Sequence, residues 1–293
     1  MDWIKHEGKL NTHTYLIDSL LFGTPENMAC YVVEGAKKRA LIDASGKSEG
    51  RKLAMKLRDL HLEPDLLLLT HTHWDHAGGL SQLKAEKNFP NMEVMACHRG
   101  IDSLRNAGVF NEPFSNYSPK LPPVECVTPL KDGDTIDLGG VELMIFETPG
   151  HTNCSLSILD TTTKMLFVGD SLGYRFARNL FIPPIMPPEF SEQQFLASIE
   201  KVENLDFVTL CPSHFGCFAG EIARKYPTDA RAAYTFWKEF FIARWRETPD
   251  IFRVKEAFHS QLVGHGLSDN KVHGIADMFG GWIIAGLKGA KLL

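Results

Sequence analysis

The sequence predicts an α/β protein in which two β-sheets pack face to face, helices cover the outer faces, and a helical extension closes the chain. Three observations carry this expectation. Two strand-rich stretches, 12–44 and 124–170, are separated by a region where helical and strand patterns alternate, the order expected of two sheets in one layered unit. A helix–strand pair follows at 191–211. Beyond about residue 218 only helical patterns remain, so the boundary between sandwich (1–217) and helical cap (218–293) is placed there. A chain of 293 residues is long enough for one large core with an appendage.

The elements follow in order. "TYLID", "MACYVVEG" and "RALIDAS" are rich in β-branched and aromatic residues and read as strands. Leu53, Leu57 and Leu60 recur at helical spacing and predict a helix over 48–60. Leu66–Leu69 is a short buried strand, followed by a helix near 78–87, a strand at "EVMAC" and a helix near 100–107. Pro113, Pro119, Pro122 and Pro123 predict an extended loop over 108–123. "ECVTPL", "DTIDL", "VELMIFETPG", "SLSILD" and "KMLFVGD" read as strands joined by turns such as "KDGD". "YRFARNLFIPPIMPPEF" is apolar, basic and proline-rich, which predicts a structured loop. A helix over 191–204 and a strand over 206–211 come next. In the extension, Tyr234, Trp237 and Phe241 fall on one helix face, flanked by Phe240 and Trp245. With "MFGGWIIAGL", that surface is expected to pack on the sandwich, join two chains as a homodimer, or cap a small-molecule pocket.

A net charge of −5 offers no overall attraction for nucleic acid, and no apolar run approaches the length that spans a bilayer. "MDWIKHEGKL" lacks the layout of a secretion signal. The six cysteines form no C-x-x-C pair and sit mostly in apolar runs, which predicts reduced thiols in a cytoplasmic protein rather than a Cys211–Cys217 disulfide.

The chemistry concentrates at "LLLLTHTHWDHAGGL", residues 66 to 80, where a strand ends and "HTHWDH" begins the path to a helix. Strand ends are where α/β proteins place ligands. The same arrangement recurs at "FETPGHT" with His151, "LFVGD" with Asp170 and "TLCPSHFG" with His214. Neutral imidazole and carboxylate are the usual donors to zinc and to non-haem iron or manganese. His71 and His73 stand two apart and point the same way in an extended segment, whereas Asp75 and His76 lie past the turn. The expected arrangement is one divalent ion at His71, His73 and His151, another at Asp75, His76 and His214, and Asp170 as the bridge. Asp43, at the end of "ALID", suits a residue that orients a ligand histidine, or a plain strand end.

"HTHWDH", "TPGHT", "VGD" and "PSHFG" resemble the ligand motifs of the metallo-β-lactamase superfamily, in order and with all seven positions filled. The resemblance covers about residues 12–216 and includes the "DGDTIDLGG" turn. It implies an αββα sandwich with the metals at one edge, and the thioesterase and glyoxalase II-like branch fits best. The activity it implies is hydrolysis of an ester-like bond, thioester or lactone before phosphodiester, by a metal-bridging hydroxide whose proton Asp75 or Asp170 holds. Two zinc ions, or iron or manganese, are the expected cofactors. The alternatives are a regulatory or binding protein that keeps the fold as a scaffold, and a mononuclear-iron persulfide dioxygenase. Beyond Asp170, Tyr174 is a candidate pocket wall, and Arg175 and Arg178 are candidates to bind an anionic substrate through their rigid donor forks.

Overall fold

The computed structural model describes residues 2–85 and 87–293. The chain opens with β1 (Trp3–Ile4), β2 (Gly8–Lys9), β3 (Thr14–Asp18), β4 (Ala29–Glu34) and β5 (Arg39–Ile42). Next come α1 (Gly50–Asp59), β6 (Leu66–Leu69), α2 (Trp74–Ala77), α3 (Leu80–Leu83), β7 (Glu93–Cys97), α4 (Ile101–Arg105) and α5 (Ala107–Phe110). The second half begins with β8 (Thr128–Leu130), β9 (Thr135–Asp137), β10 (Glu142–Glu147), β11 (Leu156–Asp160) and β12 (Met165–Gly169). A hairpin of β13 (Tyr174–Ala177) and β14 (Leu180–Ile182) leads to α6 (Glu192–Glu203), β15 (Thr209–Pro212) and β16 (Cys217–Ala219). The chain ends in α7 (Glu221–Glu247), α8 (Ile251–Leu262) and α9 (Asp269–Gly289).

Two seven-stranded sheets form, ordered β2-β3-β4-β5-β6-β7-β8 and β1-β16-β15-β12-β11-β10-β9. Side-chain alternation explains why both faces of each sheet are apolar. Leu66 and Leu68 enter the core between the sheets, where they join Tyr31, Ile42, Ile145, Ile158 and Phe167. Leu67 and Leu69 face outward with Leu53 and Leu57 of α1 and Leu80 and Leu83 of α3. In the other sheet, Met165 and Phe167 point inward while Leu166 and Val168 meet the outer helices. The four-layer α/β arrangement expected from the sequence is therefore present.

Several elements differ in detail. The helix expected near 78–87 ends at Leu83, and residue 86 lies outside the described residues. The helix expected near 100–107 is split into α4 and α5, because Asn106 leaves helical geometry (φ −109°, ψ 32°). "YRFARNLFI" is a strand pair, with Tyr174 opposite Ile182 and Arg175 opposite Phe181, rather than a loop. The prolines that follow had masked its alternation. β16 crosses the boundary expected at 217/218, so the helical segment starts at Glu221.

That segment is not separately cored. Tyr226, Tyr234, Trp237 and Phe241 of α7, with Phe258 of α8, share one apolar cluster with Leu166, Val168, Phe195 and Leu210. The Phe241 and Phe258 rings lie 4.9 Å apart, edge to face, a favoured aromatic geometry. Phe241→Ala should cost about 3–5 kcal/mol, because it opens a cavity the packed helices cannot refill. Urea unfolding checks this, and an unchanged midpoint would contradict a shared core.

Candidate metal centre

All the candidate ligands sit where strands end. β10, β12 and β15 run in one direction, since β10 and β12 each pair antiparallel with β11 and β12 pairs parallel with β15. His151, Asp170 and His214 follow their carboxyl ends. His71 and His73 follow β6 in the facing sheet, and Leu156 N–H donates to Thr70 O across the gap (2.8 Å). Gly169 precedes Asp170 at φ +52°, and a Cβ there would lie 2.5 Å from Thr70 Oγ1. Only glycine lets the two sheet edges approach this closely.

The side chains then converge. His151 Nε2 is 3.2 Å from His71 Nε2 and 2.9 Å from His73 Nδ1. Asp170 Oδ2 is 3.7 Å from both His151 Nε2 and His214 Nε2, and its Oδ1 is 3.5 Å from His76 Nε2. Asp75 Oδ2 is 3.4 Å from His214 Nε2. His71, His73 and His151 thus form one possible donor group, and Asp75, His76 and His214 another. The Asp170 carboxylate lies between them.

The second nitrogen of three rings is tied back. His76 Nδ1 is 2.7 Å from Asp43 Oδ2, His151 Nδ1 is 3.0 Å from Pro184 O, and His214 Nδ1 is 2.8 Å from Asn27 O. Each Nδ1–H donates outward, so that Nε2 faces the shared space, which is how metal-binding histidines are oriented. Asp43 is fully buried, sits at φ +62°, and also accepts from Thr70 N (2.8 Å), Thr70 Oγ1 (2.8 Å) and Ser213 Oγ (3.0 Å). Of its two readings from sequence, the orienting one matches this position.

Charge and burial suit a cation. Among the described residues, His76 Nε2 and Asp170 Oδ1 are buried without a hydrogen-bond partner. Burial, followed by the neighbouring imidazoles, holds His71 and His73 well below the ordinary histidine range, and burial also lowers His151. These rings stay neutral and keep their lone pairs. Burial pushes His76 and His214 down too, but the carboxylates of Asp43, Asp170 and Asp75 at His76, and of Asp170 and Asp75 at His214, outweigh it and raise both. Asp170 is desolvated, yet the His214, His76 and His71 imidazoles hold it well below the carboxylate range. Imidazole lone pairs facing each other at about 3 Å, beside two ionised carboxylates, are a donor set completed by divalent ions.

Around the donors lies a pocket with about 50 Å³ of free space, room for only a few heavy atoms. Tyr174 forms part of its wall and donates from its hydroxyl to Asp170 Oδ2 (2.9 Å). Sequence reasoning missed Trp74 and Phe114, which also line it, whereas Met278, Phe279 and Trp282 of α9 belong to the "MFGGWIIAGL" stretch expected to pack on the sandwich, join two chains or cap a pocket. Trp74 lay inside the histidine motif, and nothing local marked Phe114. The helix that reaches the pocket is α9, while the aromatic stripe of α7 is spent on the core. Arg175 and Arg178 do not line this pocket. On β13 the alternation that sends Tyr174 inward sends Arg175 the other way, where it pairs with Asp229 and donates to Arg178 O (2.8 Å). Arg178 is exposed and bound to both oxygens of Asp2 (2.9 and 3.0 Å).

Comparison with known proteins agrees with this geometry. The sequence profile of the Metallo-beta-lactamase superfamily matches residues 23–214. The chain belongs to this superfamily. It is 26% identical over 185 residues to the acyl-coenzyme A thioesterase MBLAC2 of Gallus gallus, covering 58% of this chain and 66% of that one. It is 29% identical over 145 residues to a hydroxyacylglutathione hydrolase of Prochlorococcus marinus, covering 49% and 48%. It thus spans two thirds or less of the length of these relatives. Among solved structures, the archaeal superfamily protein ST1585 from Sulfolobus tokodaii matches over 99% of this chain and 98% of its own, at TM-score 0.60 and 19% identity. That likeness shows a common fold, including the C-terminal helices.

Asp43→Ala should lower zinc affinity about 10–100-fold, the usual effect of removing a carboxylate that orients a ligand histidine. Titration against a competing chelator checks this. Wild-type affinity in the variant would contradict the orienting role.

Proposed function

We propose that this superfamily member is a binuclear metal-dependent hydrolase of an ester-like bond, thioester or lactone before phosphodiester. The observation that carries the reading is the Asp170 carboxylate, within 3.5–3.7 Å of nitrogens from both donor groups. His71, His73 and His151 would hold one ion, Asp75, His76 and His214 the other, and Asp170 both. Five imidazoles and two carboxylates favour zinc, with iron or manganese next. Two such ions, when bound, supply Lewis acidity toward the scissile carbonyl or phosphoryl oxygen and an acidified water.

The rest is the work of the chain's own residues. Asp75 has the most exposed side chain of the seven and lines the pocket, so it can take a proton from an attacking water. Asp170 shares that part, and Tyr174 stabilises it by donating to Oδ2. Burial and the Asp170 and Asp75 carboxylates keep the Tyr174 hydroxyl protonated, so it acts as a donor and not as a base. Phe114, Met186, Met278, Phe279 and Trp282 give apolar walls that exclude bulk water and fit a short acyl group. Relatives named as acyl-coenzyme A thioesterases support the thioester as the first substrate to try. The proposed setting is the reducing cytoplasm, in keeping with six free cysteines; no described helix is long and apolar enough to cross a membrane.

The test is a screen of acyl-CoA, acylglutathione, lactone and phosphodiester substrates with metal-replete protein. Turnover of at least one class is expected, and Asp170→Asn should lose both ions together and reduce kcat by about 10²-fold or more. Loss of only one ion would contradict the bridge, and activity unaffected by metal removal would overturn the hydrolase reading.

A further inference from the structure

On the other side of His214 from the metal pocket lies a second recess. The two share Asn27, Phe176 and His214 as walls. Two lysines from opposite ends of the sequence meet there, Lys5 after β1 and Lys271 in the first turn of α9. Lys271 is half-buried and, among the described residues, its ammonium has no ion pair. Lys5 lies over the Trp3 ring at 3.9 Å and reaches Glu26 only at 4.0 Å. Burial, and next the charge of Lys5, push Lys271 below its ordinary value. Two lysines and one carboxylate, Glu26, line this recess, so positive charge exceeds negative there even with Arg175 neutralised by Asp229.

We propose that Lys271 and Lys5 form the subsite that receives an anionic group of the substrate, a carboxylate or a phosphate, while its acyl part enters the apolar pocket. The inference rests on the hydrolase reading and names its substrate class. It also moves anion recognition away from Arg178, whose fork is filled by Asp2, and from Arg175, which borders the recess but is held by Asp229. α9 thereby supplies both halves of selection: its first turn carries Lys271, and two to three turns later Met278, Phe279 and Trp282 wall the pocket.

The experiment compares thioesters of equal length ending in methyl, carboxylate or phosphate, using full-length metal-replete protein. Lys271→Met keeps the stem and removes the charge. It should lower the preference for charged over neutral substrate, as a ratio of kcat/KM, about tenfold, the size of one hydrogen bond to a charged group. Lys5→Met should lower it less, and Arg178→Met should leave the ratio as it was. The carboxylate and phosphate arms show which anion is preferred. An unchanged ratio in Lys271→Met, or an equal fall in Arg178→Met, overturns the proposal. If no thioester is turned over, binding decides instead: metal-stripped protein is titrated with succinate and with inorganic phosphate, following tryptophan fluorescence. At least a fivefold weaker affinity for either anion in Lys271→Met supports the subsite, and equal affinity for both overturns it, whatever becomes of the hydrolase reading.

Discussion

Asp43 directly follows β5, its carboxylate sealed from solvent and committed to Thr70 N–H and hydroxyl, the Ser213 hydroxyl and the His76 ring. A buried carboxylate is costly unless its oxygens are fully engaged, and here the engagement is also the architecture. Thr70 immediately precedes His71, and Ser213 immediately precedes His214. One charge therefore fixes the two loops that carry five of the seven candidate ligands. The left-handed backbone at Asp43, tolerated by aspartate better than by most residues, aims the carboxylate into the seam between sheets.

The sheets make this possible because both of their faces are buried. Leu66–Leu69 alternates between the central core and the α1/α3 layer, so β6 cannot slide by one residue without exchanging its faces. That pins the position of His71 and His73 just beyond it. On the other side, α6 and α7 cover β12 and β15 through one continuous cluster that also holds α8 and α9. The helical segment is thus tied to the strands that deliver Asp170 and His214. α9 closes the edge: Trp282 packs edge to face on Phe114 (5.3 Å) and Phe279 on Tyr174 (5.0 Å). Pocket shape and core stability are coupled through the same helix.

Much of this was legible from sequence for physical reasons. Strands with period-two burial, and histidines placed directly after them, leave local signatures, and the seven candidates from His71 to His214 do converge, five of them lining one pocket. What was not legible depends on partners remote in sequence. Arg175 and Arg178 had the right chemistry for an anion, but Asp229 and Asp2 had already claimed them. The alternation of β13 was hidden by the neighbouring prolines. Phe114, from a 3-10 turn (Glu112–Phe114) where an extended loop was expected, and Lys271, from a helix start, acquire meaning only when α9 folds back over the metal edge. The aromatic stripe of α7 was visible, but stripe periodicity cannot say whether a core or a ligand covers it.

The central claim is that two donor groups, joined by Asp170 and held in place by Asp43, each take a divalent ion. Anomalous diffraction at the zinc edge, from crystals of zinc-loaded full-length protein, tests it most directly. The account predicts two peaks per chain, one among His71, His73 and His151 and one among Asp75, His76 and His214, with Asp170 touching both. A single peak at saturating zinc would contradict it, as would zinc held instead by Cys97, His98 and Glu147, whose donor atoms lie within 4.8 Å of one another.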